Sequence, residues 1–136
     1  MKPLLWWLRF LQFAQHPLVR RASLLIYLLL LTLLSLLPES GLPRVKLFPH
    51  ADKLIHMTMY AGFTFLLFFN WPQTFSRWRV WLPLLAVVAW GMAMEVLQGV
   101  GGLGRAFDLL DEAANISGFF PGWLIWRWFD KQLQTL

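Results

Sequence analysis

The sequence predicts an all-α integral membrane protein, a bundle of four transmembrane helices preceded by an interfacial amphipathic helix. Apolar residues make up 58% of the 136-residue chain and charged residues only 14%, well below the roughly 25% of a soluble domain. Four apolar runs are separated by turns that contain proline or glycine. Basic and tryptophan residues gather at the ends of these runs, as they do at the two surfaces of a bilayer.

The first 17 residues are predicted to be an interfacial segment, and residues 18–136 a single transmembrane domain. Residues 3–15 place Trp, Leu and Phe around Arg9, the composition of a helix that lies among lipid headgroups. A signal peptide is the alternative, but no small-residue cleavage site precedes the next apolar run. The first span covers about residues 18–37 and ends at Pro38.

The other three spans are predicted at about residues 53–71, 80–99 and 108–128. Asp52 is a candidate N-cap for the second span, and Pro72 stops it. In the fourth span, Glu112 is assigned only to the helix dipole of the first turn. Gly118 and Gly122 form a G-x-x-x-G pair, which permits a neighbouring helix to approach closely.

Lysine and arginine set the predicted orientation. The side that holds both termini carries eight of the twelve basic residues, and the opposite side carries Arg44, Lys46, Lys53 and Arg105. The richer side faces the cytoplasm, so both termini are expected there. The net charge is +5, and because the basic residues lie at the ends of the apolar runs, membrane topology explains them and no nucleic-acid partner is expected. The absence of cysteine excludes disulfides, thiolate metal ligands and cysteine nucleophiles.

Polar residues that would lie within the bilayer gather on three helices. A charged group there costs about 3 kcal/mol on insertion scales, so these residues indicate a site or a structural network. They are Asp52, Lys53, His56 and Tyr60 at the second span, Glu95 and Gln98 on the third, and Arg105, Asp108, Asp111, Glu112 and Asn115 at the fourth. Spacings of three or four residues put most of each group on one helix face. The three faces are expected to meet in one polar pocket that opens on the extracytoplasmic side.

Several of the charged residues have two interpretations. Asp52 and Asp108 begin helices, so capping and a place in the site are weighted equally. Lys53 lies in a first turn, where it opposes the helix dipole and needs a partner such as Asp108 or Asp111, or an anionic ligand. Arg105 precedes a helix in a glycine-rich turn, where a guanidinium suits a phosphate or carboxylate. The alternative for Arg105 is an anchor at the membrane surface.

Glu95 is the strongest single site candidate, because no basic residue lies one turn away on its own helix. It either pairs across helices or is protonated. His56 is a packed histidine, a general base or a metal ligand. Gln98 and Asn115 are binding candidates, although hydrogen bonding between helices is the commoner role of such residues. Tyr60 belongs either to the core or to the site.

Three motifs on three helices occur in a fixed order along the chain. They are Asp52-Lys53-x-x-His56-x-x-x-Tyr60, Glu95-x-x-Gln98, and Gly104-Arg105-x-Phe107-Asp108-x-x-Asp111-x-x-x-Asn115-x-x-Gly118-x-x-x-Gly122. This set resembles the VanZ-like family of small bacterial membrane proteins, over roughly residues 22–126. The resemblance implies a bacterial cytoplasmic (inner) membrane and a connection to the cell envelope. The family's namesake is linked to resistance to the glycopeptide antibiotic teicoplanin. The resemblance implies no particular reaction.

The favoured hypothesis is a protein that binds an anionic or polar envelope molecule, either a lipid-linked precursor or a glycopeptide. Lys53 and Arg105 would meet the negative charge. The remaining binding candidates are Tyr60, Gln98, Asp108, Asp111 and Asn115.

The alternatives are an enzyme and a structural polar network. A hydrolase or transferase acting on a lipid-linked substrate would use His56 or Glu95 as general base, activated by Asp52 or by burial. No cofactor is expected. A metal site formed by Asp52, His56, Glu95 and Asp111 is not predicted, because the spacing matches no familiar metal motif.

Overall fold

The computed structural model of the chain describes residues 2–38, 50–71, 80–102 and 106–134. These residues form α-helices and include no β-strand. The helices are α1 (Lys2–Ala14), α2 (Pro17–Ser35), α3 (Ala51–Asn70), α4 (Trp81–Val100) and α5 (Leu109–Gln134). The predicted all-α class is therefore confirmed.

Helices α3 and α5 run parallel and form the most extensive contact of the bundle. A Cβ atom added at Gly118 would lie 2.4 Å from the carbonyl oxygen of Met57. One turn further along both helices, a Cβ atom added at Gly122 would lie 2.3 Å from the carbonyl oxygen of Ala61. The close approach predicted from the G-x-x-x-G pair is confirmed, and it brings the polar faces of α3 and α5 together.

Helices α2 and α4 run in the opposite direction to α3 and α5. The guanidinium of Arg20, near the start of α2, lies 5.1 Å from the centre of the Phe69 ring at the end of α3. The side-chain amide of Gln98, near the end of α4, donates a hydrogen bond of 2.7 Å to the carbonyl oxygen of Ser35 at the end of α2. Successive helices from α2 onward therefore alternate in direction.

The apolar core lies between α2, α3, α4 and α5. Its buried members are Leu31, Tyr60, Phe63, Phe68, Val87 and Phe119. The outer face of α2 exposes a row of large apolar side chains, namely Leu25, Ile26, Leu29, Leu30, Leu33 and Leu34. Among the described helices, α2 and α4 have the length and apolar composition needed to cross a membrane.

The observed helix ends lie within a few residues of the predicted ones at all but one position. Helix α5 continues to Gln134, six residues past the predicted end, because proline and glycine are absent from this final stretch. Asp52 was predicted wrongly as an N-cap, since α3 starts before it and His50 holds the cap position without a side-chain hydrogen bond. Asp108 does cap α5, because its Oδ1 accepts the backbone N–H of Leu110 at 2.8 Å.

Candidate functional site

Lys53 lies at the centre of a group of ion pairs at the start of α3. Its ammonium is 2.7 Å from Oδ2 of Asp108 and 3.0 Å from Oδ2 of Asp52, and it also contacts Oδ1 of Asp111. Of the two kinds of partner expected for Lys53, a carboxylate or an anionic ligand, the structure shows the carboxylates of Asp108 and Asp111. Asp108 precedes the first residue of α5 and accepts a hydrogen bond from the ammonium of Lys53. The start of α3 is thereby joined to the start of α5.

One turn deeper, His56 joins α3 to α5 a second time. Its Nδ1 lies 2.9 Å from Oδ1 of Asn115. The side-chain amide of Asn115 donates in turn to Oε2 of Glu112 at 3.2 Å. The other ring nitrogen of His56, Nε2, is 3.9 Å from Oδ2 of Asp111. His56 therefore lies between an amide oxygen and a carboxylate.

Glu95 brings α4 into the same group of residues. Its Oε2 accepts the backbone N–H of Asp108 at 3.1 Å. Glu95 also offers a carboxylate oxygen that lies within 4.8 Å of donor atoms of both His56 and Asp111. These contacts show that the polar faces of α3, α4 and α5 meet, as the sequence predicts. Together these residues form a polar cluster, which consists of Asp52, Lys53, His56, Glu95, Asp108, Asp111, Glu112 and Asn115.

The exposed fraction of the side chains in the polar cluster falls from the starts of α3 and α5 toward the inside of the bundle. The side chains of Asp52 and Asp108 are 59% and 40% exposed, whereas that of Asp111 is 10% exposed. Glu95 and Asn115 are each only 1% exposed. The cluster therefore reaches the surface at the starts of α3 and α5 and ends inside the bundle.

The role predicted for Glu112 from the sequence is wrong. Glu112 is not only a partner of the helix dipole, because it is 3% exposed and bonded to Asn115. Gly91 on α4 makes room for it, since a Cβ atom at Gly91 would lie 2.3 Å from Oε2 of Glu112. The pattern that indicates this packing is Gly91 one turn before Glu95 on the same helix.

Other predicted site residues occupy different positions. Gln98 is tied to Ser35 of α2 by its side-chain amide, which is the interhelical role considered for it. Tyr60 is buried in the apolar core beside Phe63, which is the first of the two positions considered for it.

Two further predictions concern the charged residues Asp52 and Arg105. Under the enzyme alternative, Asp52 or burial would activate His56 or Glu95 as general base. Asp52 contacts Lys53, whereas the carboxylates of Asp111 and Glu95 are those that lie near His56. Arg105, the predicted anion-binding residue, lies outside the described residues.

The charge balance of the polar cluster determines what it can bind. It contains five carboxyl groups against one lysine and one histidine, and Lys53 already contacts three of the carboxylates. Such a group can accept hydrogen bonds from hydroxyl or amino groups, hold a cation, or take up a proton. An added anion would have to displace a carboxylate from Lys53.

No protein-family model, curated protein or solved structure shows significant similarity to this chain.

Proposed function

We propose that this chain is a four-span protein of a bacterial cytoplasmic membrane, VanZ-like in its motifs, with both termini in the cytoplasm. Its polar cluster opens on the extracytoplasmic side and binds a polar group of a cell-envelope molecule. The candidates are a lipid-linked precursor and a glycopeptide. The observation that carries the proposal is the convergence of α3, α4 and α5 on one cluster through Lys53, His56 and Glu95.

The free-energy cost of burying ionisable groups in a membrane supports a binding role for the polar cluster. Ionisable residues within a membrane are expensive and lie at functional sites more often than elsewhere. Here three carboxyl groups, those of Glu95, Asp111 and Glu112, are buried together. A bundle held only by packing needs none of them, because the glycines of α5 already bring α3 and α5 into contact.

The charge balance narrows the class of ligand. The described carboxylates favour a ligand group that donates hydrogen bonds, such as the hydroxyl or amino groups of a sugar or peptide. Lys53 is already paired with carboxylates of the cluster. We therefore propose that Arg105 binds the negatively charged part of the ligand. Hydrogen-bond donors and a negative charge occur together in a lipid-linked saccharide or peptide that ends in a phosphate.

Native mass spectrometry of the detergent-purified chain tests this proposal. Wild type and the variants Arg105→Ala and Glu95→Gln are each mixed with lipid-linked precursor or with teicoplanin. We expect a bound complex with wild type that both variants weaken. Gln98→Leu is the matched control, since Gln98 lies one turn from Glu95 and is equally buried but bonds to α2. Equal binding by all four proteins, or by none, contradicts the proposal.

A hydrolase or transferase acting on the lipid-linked molecule is the second candidate. One observation favours it: His56 has one nitrogen bonded to Asn115 and the other turned toward Asp111, an arrangement suited to a general base. The same mass-spectrometric samples reveal a product if a reaction occurs. A product that disappears in His56→Gln would make the chain an enzyme, and an unchanged ligand would leave binding as the function.

A further inference from the structure

We propose that His56, Glu95 and Asp111 form a binding site for a divalent transition-metal ion. The three residues come from α3, α4 and α5, and one donor atom from each lies within 4.8 Å of the other two. Two donors that share a tetrahedral ion at about 2.1 Å lie roughly 3.4 Å apart. Small side-chain movements would therefore bring all three donors onto one ion.

The hydrogen bonds of His56 prepare one of its nitrogens for a metal. The amide nitrogen of Asn115 donates to Glu112, so the amide oxygen is the atom that faces Nδ1 of His56. Nδ1 must then carry the proton, and in the neutral ring Nε2 carries the lone pair. Histidines that bind metals usually donate their other ring N–H to a carbonyl or carboxylate in this way. Nε2 is also the nitrogen that lies 3.9 Å from Asp111.

The two carboxylates are also held in place by hydrogen bonds. Oδ1 of Asp111 contacts Lys53, which leaves Oδ2 directed toward His56. Oε2 of Glu95 accepts the backbone N–H of Asp108. Carboxylates that bind metals are commonly supported by such second interactions. Here the supporting groups are Lys53, in the first turn of α3, and the backbone N–H of Asp108, which directly precedes α5.

Five buried side-chain atoms of the described residues have no hydrogen-bond partner, and two of them are on residues that neighbour the proposed ligands along α3 and α5. They are the hydroxyl of Tyr60 and Oε1 of Glu112. Tyr60 lies one turn after His56 on α3, and Glu112 is bonded to the asparagine that orients His56. Water molecules that complete the shell of a bound ion would offer both oxygens a partner.

The donor set selects the class of ion. One imidazole nitrogen with carboxylate oxygens suits zinc, manganese or ferrous iron, whereas soft ions such as Cu(I) prefer thiolate or thioether ligands. Calcium and magnesium prefer shells made of oxygen alone. The inference goes beyond the proposed binding function, and its test contains no envelope molecule, so either proposal can fail without the other.

Metal titration of the full chain tests the site. The protein is purified in detergent, freed of its affinity tag, stripped with a chelator and dialysed against Zn²⁺, Mn²⁺ or Co²⁺. Bound metal is counted by mass spectrometry. We expect one equivalent per chain in wild type and at least a tenfold loss of affinity in His56→Gln, Glu95→Gln and Asp111→Asn. Circular dichroism without metal establishes that each variant is folded.

Asp52→Asn is the matched control for Asp111→Asn. Both aspartates contact Lys53, but Asp111 alone of the two lies beside His56. Full metal binding by Asp52→Asn is therefore expected. Equal affinity in the control and in all three ligand variants would overturn the site, as would the absence of metal binding by wild type.

X-ray absorption at the zinc edge supplies a test on wild type alone, which holds even if the variants fail to fold. We expect the scattering of one imidazole together with oxygen neighbours at about 2.0–2.1 Å. A spectrum without imidazole scattering would show that zinc binds elsewhere and would overturn the proposal.

Discussion

The side-chain oxygen of Asn115 lies 2.9 Å from Nδ1 of His56 and joins α5 to α3 beneath the ion pairs of Lys53. Asn115 is bonded on its other side to Glu112, one turn before it on α5, so its side-chain amide is oriented within its own helix. The orientation of His56 follows from that of Asn115. The most buried hydrogen bonds of the polar cluster therefore determine which histidine nitrogen faces the carboxylates.

Removing this hydrogen bond is expected to weaken metal binding without removing a metal ligand. In Asn115→Ala, Nδ1 of His56 loses its acceptor, and loss of such a partner costs about 10–100-fold in metal affinity. Isothermal titration with Zn²⁺ measures the change. Asn70→Ala is the control, because the amide of Asn70 donates to the backbone of its own helix, at Leu66 of α3. Identical affinities for both variants would show that Asn115 does not position His56.

The contact of α3 with α5 is expected to depend on Gly118. In Gly118→Ala the new methyl group would lie 2.4 Å from the backbone oxygen of Met57, which cannot move without shifting α3. Overpacking of this kind costs about 1–3 kcal/mol. Thermal unfolding in detergent, followed by circular dichroism, should show a lower midpoint.

The control for Gly118 is Gly99→Ala on α4. A Cβ atom there would meet its nearest neighbour, in Phe107, at 3.5 Å, an ordinary contact distance. The midpoint should stay unchanged or rise slightly, because alanine favours helix more than glycine does. Equal losses at Gly118 and Gly99 would mean that the close approach of α3 and α5 is not the cause.

Several features of the fold follow directly from the amino-acid sequence. The apolar runs locate all four long helices, and Gly118 with Gly122 predicts the close contact of α3 and α5. The position of Lys53 in a first turn predicts that it needs a carboxylate. These predictions succeed because each depends on local periodicity, on turn residues or on the cost of an unpaired charge.

Other features depend on contacts between distant parts of the chain. His56, Glu95 and Asp111 come from three helices, so their proximity is not recorded in any local spacing. Glu112 looks like an ordinary acid of a first turn until Gly91 is placed opposite it. Gln98 and Glu95 are three residues apart, yet they contact different helices. Which neighbour each side chain meets is decided by how the helices rotate about their axes.

The space that Gly91 leaves for Glu112 predicts a coupled pair of substitutions. Gly91→Ala alone should lower the unfolding midpoint, because the added methyl group would lie 2.3 Å from Oε2 of Glu112. In a background that already carries Glu112→Ala, the obstructing carboxylate is absent, so the same substitution should cost much less. A double-mutant cycle gives the coupling, expected at about 0.5–3 kcal/mol. Strictly additive effects would contradict the packing of these two side chains.

Lys53 is expected to stabilise the bundle through its contacts with Asp52, Asp108 and Asp111. In Lys53→Met the three carboxylates lose their shared cation, and leaving the buried one, Asp111, without this partner costs about 1–3 kcal/mol. The unfolding midpoint should fall, and a second substitution, Asp111→Asn, should restore part of it by removing one uncompensated charge. Lys131→Met, at the exposed end of α5, is the control and should leave the midpoint unchanged.

The proposed function requires the polar cluster to face outward, and cysteine accessibility in intact cells measures this orientation directly. The chain has no native cysteine, so Asp52→Cys and Lys131→Cys each introduce a single thiol at an exposed position near opposite ends of the bundle. We predict that a membrane-impermeant maleimide labels Asp52→Cys in intact cells and labels Lys131→Cys only after the membrane is opened. The reverse pattern, or equal labelling of both thiols in intact cells, would contradict an outward-facing cluster.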